Sequence, residues 1–191
     1  MLYRRANAKG ATYFFTVNLA DRRSDTLIHH IDDLRAIINK VKEAHPFSIV
    51  AMVALPEHLH AIWRLPPGDR NFPMRWSLIK AGFSRLLPNE EYVPPSRAAK
   101  RERGIWQRRY WEHQIRDEAD VERHVNYIHY NPVKHGHVQK AVDWPHSTLH
   151  SYIDRGIVNR NWAGGGNEKA SGYGERNHVV LPASAHATSH D

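Results

Sequence analysis

The sequence predicts an α+β domain: a four-stranded antiparallel sheet with helices on one face, followed by one more helix. Three observations predict it. Four segments have the length and composition of strands, helical apolar spacing fills the stretches between them, and proline or glycine separates the pieces. Thr12 to Leu19 is aromatic and β-branched, as strands are. Ser24 is an N-cap residue type, and Leu27, Ile31, Leu34, Ile38 and Val41 then fall on one helical face until Pro46. Phe47 to Leu55 is almost continuously apolar and reads as a central strand covered on both faces. After Pro56-Glu57, His58 to Leu65 forms a third strand, and Pro66 to Asp69 a loop. Trp76, Ile79 and Phe83 mark a helix over Met74 to Leu87. Residues 88–104 are polar and proline-bearing, a mobile loop with a basic end, and Ile105 to Ile115 includes the fourth strand. Asp117 caps a helix over Glu118 to Tyr130, which Pro132 stops. Ser147 to Asp154 is a last short helix. The order βαββαβ plus a C-terminal helix is ferredoxin-like, an architecture that hosts many functions and decides none. Residues 1–165 read as one domain, and the Gly/Ser/His-rich tail 166–191 as disordered.

A chain of 191 residues suffices for one domain with a real core. Cysteine is absent, which excludes disulfide frameworks, thiolate nucleophiles and cysteine-based metal sites. The formal charge of +7 favours polyanionic partners such as nucleic acid. No signal-peptide pattern opens the chain and no apolar stretch is long enough to span a membrane, so a cytoplasmic, nucleoid-associated protein is expected.

Chance alone gives a His-x-His about once in a chain with 15 histidines among 191 residues, so context must carry the pattern. His135-Gly136-His137 follows a helix stop, where glycine leaves the geometry loose. His58 and His60 lie two apart in a strand and therefore point to one face, two arms of a metal site or simply two partly buried histidines. Tyr127 and Asn131 are four apart on a helix and share a face. An asparagine amide oxygen suits Mg²⁺, and a tyrosine oxygen beside such a metal can attack a phosphate; packing and helix capping are the plainer roles. Taken together, a Mg²⁺ or Mn²⁺ ion held by His58, His60 and Asn131 would polarise a phosphodiester for attack by Tyr127. Tyr130 is the rival nucleophile. Arg4, Arg5, Arg22, Arg23, Arg108 and Arg109 are candidates for binding the DNA backbone, with Lys9, Arg97, Lys100, Arg101 and Arg103 as further cations of the same kind.

These residues sit within longer motifs: Tyr3-Arg4-Arg5, TYFFTVNL over 12–19, LPEHLHAIW over 55–63, WEHQIRD over 111–117 and YIHYNPVKHG over 127–136. In that order and spacing the chain resembles the REP-associated tyrosine transposases, among the single-tyrosine HUH endonucleases, over roughly residues 3–165. The resemblance implies His58 and His60 as metal ligands, Asn131 as a third, amide-bearing ligand and Tyr127 as nucleophile. It further implies cutting of single-stranded DNA at the foot of a repetitive extragenic palindromic hairpin, leaving a 5′-phosphotyrosine link and a free 3′-OH. His113 lies in a family motif without a derivable role, and the loop 88–104 departs from the expected pattern. A non-catalytic ferredoxin-like DNA- or RNA-binding protein is the alternative; a histidine-rich zinc hydrolase ranks third because HExxH is missing. The sequence leaves open whether the chain acts as a monomer or a homodimer.

Overall fold

The structure is a computed structural model that describes residues 9–162 apart from Glu90, Tyr92 and Arg101. Four strands, β1 (Thr12–Asn18), β2 (Ser48–Ala54), β3 (His58–Arg64) and β4 (Trp111–Gln114), form one antiparallel sheet in the order β2-β3-β1-β4. The helices are α1 (Thr26–His29), α2 (Ile31–Ala44), α3 (Phe72–Leu86), α4 (Pro95–Ala98), α5 (Glu118–Lys134) and α6 (Leu149–Asp154). The predicted βαββαβ order is therefore observed.

Strand periodicity sorts the side chains between two cores. Tyr13, Phe15 and Val17 of β1, with Leu59, Ala61 and Trp63 of β3, meet Leu34, Ile38 and Val41 of α2 and Phe72, Trp76 and Phe83 of α3. Trp63 stacks on Trp76 with ring centroids 4.1 Å apart. Gly82 permits the close approach of the two helices, because a Cβ there would come within 3.0 Å of Ile37. On the opposite face Phe14 and Ile62 pack with Val125, Tyr127 and Ile128 of α5. The two core strands are thus buried on both faces, and β1 and β3, not β2, are central.

That corrects the placement of β2, which is an edge strand. Its apolar run has a different cause: both faces are covered, Phe47 and Ala54 lying in the core under α2 and α3 and Ala51 and Val53 in the core under α5. Residues 146–148 separately pair with the end of its outer rim, Ala54 N donating to His146 O (2.9 Å) and Thr148 N to Met52 O (2.9 Å). The predicted first helix is broken at His30 into α1 and α2, and the loop 88–104 contains the short α4. Pro132 does not stop α5, which runs on to Lys134. In the last turn a proline forfeits only one ladder bond, and the helix closes at Gly136 (φ +72°), with His135 N bonded to Asn131 O (3.0 Å). The tail beyond residue 162 lies outside the described residues.

His129, on the flank of α5 facing α6, is 1 % exposed and shares a hydrogen bond with Thr148 Oγ1 (3.1 Å). Burial pulls its pKa down to about 4. The folded chain therefore declines a proton that the unfolded chain takes up near pH 6.5. Stability is full above that pH and is expected to fall by up to ~3 kcal/mol as pH drops toward 4. Urea midpoints measured at pH 7.5, 5.5 and 4.5 check this, and the drop should shrink in His129→Gln.

Candidate active site

The buried face of α5 is unusual in being polar. Asp120, His124, Tyr127 and Asn131 follow one another at helical spacing, all 6 % exposed or less. Buried polar groups are expensive unless something engages them, so this face marks the site. It lies over the face of β3 that carries His58 and His60, both fully buried. The structure brings His58, His60 and Tyr127 together. The His58 and His60 ring centroids are 4.9 Å apart, and the Tyr127 ring lies edge-on to His60 at 5.2 Å and to Phe14 at 6.0 Å. Asn131, fully buried, is one turn further along the same helix face. Tyr130 is 39 % exposed, outside this cluster.

Neighbours fix these groups, and Thr16, Asn18, Glu57 and Lys134 among them are assigned no role by the sequence. The register sets Thr16 opposite His60 and Asn18 opposite His58. Thr16 Oγ1 shares a hydrogen bond with His60 Nδ1 (2.9 Å). His58 Nδ1 is 2.9 Å from Glu57 Oε1, and Arg22 bridges Glu57 (3.3 Å) and the Asn18 side chain. Burial holds His58 below the ordinary imidazole range, against the pull of the Glu57 carboxylate, so the ring is kept neutral. Lys134, two turns beyond Tyr127, donates from Nζ to its phenol oxygen (3.1 Å) and sits 4.7 Å from its ring centre. The second His-x-His is not remote either: the His135 ring is 5.1 Å from that of His58. Both contacts exist only because α5 continues through Pro132.

The donor set fits a divalent cation by its chemistry: two imidazoles and an amide oxygen, with one imidazole oriented through its other nitrogen by a carboxylate. A second group, His113, Asp120 and His124, also places ligand-type atoms within 4.8 Å of one another. Its surroundings favour an ion-pair network instead. Asp120 takes Arg123 NH2 (2.9 Å), the Arg116 backbone N–H (3.1 Å) and His113 Nε2 (2.8 Å), while the His113 and His124 rings stack in parallel. This gives His113 a role: it pins the first turn of α5 to β4.

Of the basic candidates, Arg22 is engaged at the site, Arg108 pairs with Glu102, and Arg23 and Arg109 are exposed. Arg4 and Arg5 lie outside the described residues. Among the described residues no helix is long and apolar enough to cross a membrane.

No family model matches the chain. It is 47 % identical over 162 residues to an Escherichia coli K12 REP-associated tyrosine transposase, covering 85 % of this chain and 90 % of that protein. A Haemophilus influenzae Rd protein bearing the same family name is 42 % identical over 171 residues, 89 % of this chain and 97 % of the relative. A solved REP-associated tyrosine transposase bound to a REP hairpin superimposes with a TM-score of 0.80 at 45 % identity, covering 93 % of this chain and 99 % of that one. By identity to these relatives and by fold, the chain belongs to the REP-associated tyrosine transposases, a family of DNA-processing enzymes.

Proposed function

We propose that this chain is a metal-dependent single-stranded DNA endonuclease and strand transferase that acts at hairpin-forming repetitive palindromes through a 5′-phosphotyrosine intermediate on Tyr127. The observation that carries the reading is the seating of the Tyr127 ring against His60 with Lys134 on its oxygen. Relatives named as tyrosine transposases, one of them bound to a REP hairpin, support the DNA substrate.

In the forward step the phenol oxygen attacks phosphorus, an O–P bond to Tyr127 forms, and the bond to the departing 3′-oxygen breaks. The phenol gives up one proton and the departing oxygen takes one up. The Lys134 ammonium offsets negative charge on the phenol oxygen, both as it attacks and when a second 3′-OH later displaces it. One phosphodiester is exchanged for another, so joining needs no external energy source. His58, His60 and Asn131 would hold Mg²⁺ or Mn²⁺, which supplies Lewis-acid polarisation of the phosphate. Glu57 and Thr16 orient the two rings. Arg22, Arg23, Arg108 and Arg109, with Arg4 and Arg5, serve the DNA backbone in this reading.

The test is a labelled single-stranded hairpin incubated with the protein and Mg²⁺ or Mn²⁺, then a denaturing gel. A covalent protein–DNA band and a product ending in 3′-OH are expected. Hairpin binding that is indifferent to EDTA, with no nick, would favour the non-catalytic alternative. Glu57→Gln should weaken Mn²⁺ binding by about 10- to 100-fold, as loss of a carboxylate behind a ligating histidine does. Titration followed by electron paramagnetic resonance of free Mn²⁺ reads this without reference to activity.

A further inference from the structure

On the sheet face opposite the histidines, a cleft of about 620 Å³ runs between α3 and a wall formed by Arg97 and residues 102–110. Of its lining, the function proposed above uses Arg108 alone, which is paired with Glu102. Its helical wall presents Ser77, Lys80, Ser84 and Arg85; Arg97 and Tyr110 face them from the other side. The cations divide into two groups. Arg103 is matched by Glu91 and Arg108 by Glu102. Lys80, Arg85 and Arg97 form no ion pair with a carboxylate among the described residues. Lys80 donates to Gln107 O (2.6 Å) and Arg97 to Trp106 O (2.9 Å), which satisfies their N–H groups but leaves the charge in place.

Two of these cations also repel one another. Desolvation first, and then the charge of Arg97, brings the Lys80 pKa down to about 8, although the Glu102 carboxylate on the same lining, already paired with Arg108, pulls the other way. Holding like charges together in a partly dry cleft is unfavourable for the protein alone, and an anion seated between them relieves it. The serine hydroxyls on the same wall add neutral donors that a chain of phosphates can use.

We infer that this cleft binds the sugar–phosphate backbone of single-stranded nucleic acid through Lys80, Arg85 and Arg97. The identification of the polyanion as a nucleic-acid strand rests on the function proposed above. The fold provides the route. Tyr110 lines the cleft, and its chain neighbour Trp111 packs 5.7 Å from Phe14 on the histidine face. A strand leaving the Tyr127 site therefore crosses the edge at β4 to reach the cleft. Contacts of this kind are independent of base sequence.

The experiment measures binding of fluorescein-labelled oligo(dT) to the full chain by anisotropy across a KCl series. Lys80→Met keeps a chain of similar length while removing the ammonium that lies 5.7 Å from the Tyr110 ring centre, and Arg85→Glu changes an exposed residue. Each variant should bind several-fold more weakly at low salt. The slope of log K against log[salt] should flatten by about 0.7 per cation removed. In wild type, oligo(dT) should slow amide exchange across 97–110. Wild-type affinity and slope in both variants, with 97–110 unprotected, overturns the proposal. Protection by inorganic phosphate but not by oligo(dT) overturns it too, assigning a small-anion site instead. The two readings fail separately. A chain that binds oligo(dT) through the cleft but forms no adduct loses the Tyr127 reading and keeps the cleft; adduct formation with cleft variants that bind like wild type does the reverse.

Discussion

Tyr127→Phe is expected to eliminate the covalent protein–DNA adduct, a loss of more than about 10⁴-fold, as when a nucleophile is removed. The fold should barely notice. The phenylalanine ring keeps the contacts of Tyr127 with His60 and Phe14, and loss of the hydrogen bond from Lys134 costs about 1 kcal/mol. Hairpin binding and Tm should therefore stay near wild type while the denaturing gel loses its shifted band. Tyr130→Phe is the control, since that ring is exposed and should be dispensable. A shifted band that survives in Tyr127→Phe and vanishes in Tyr130→Phe would hand the nucleophile's role to the rival.

The second large effect is expected at a residue that touches no reacting atom. Asp120 is 1 % exposed and gathers Arg123, His113 and the Arg116 N–H, while its own N–H is capped by Asp117. Burial alone would raise its pKa, but these donors outweigh burial and hold the carboxyl far below the usual carboxylate range. The stability it brings is therefore present above about pH 4 and is lost as the pH falls below that value. Asp120→Ala removes the acceptor shared by Arg123, His113 and the Arg116 N–H, groups that water partly reaches, and should cost about 1–3 kcal/mol. For a domain of this size that lowers Tm by roughly 5 °C. Asp120→Asn keeps an acceptor oxygen and should lose less. Because Asp120 anchors the first turn of the helix carrying Tyr127, adduct yield should fall in Asp120→Ala even where the protein remains folded. A mutant with wild-type Tm would show that the network is ornamental.

How much was legible in the sequence follows from which spacings are local. His58 and His60 share a face because a strand has period two, and Tyr127 and Asn131 because a helix has period 3.6; both follow from counting residues. Their meeting required only that α5 lie on the β3 face, which the structure shows. Thr16 and Glu57 as partners of the imidazoles were not legible. The first depends on strand register, and the second on the turn before β3. Lys134 and His135 were hidden by a rule that is usually sound, that a proline ends a helix; here only the final turn was affected. The position of β2 was misjudged for a related reason. An apolar run reports that both faces are covered and says nothing about neighbours in the plane of the sheet.

That covered rim has a consequence for assembly. Because residues 146–148 already pair with the Met52–Ala54 end of the β2 margin, a second copy of the chain cannot pair along the full length of that strand. Among the described residues the opposite margin of the sheet is β4, four residues long, and a seam that short offers little holding strength.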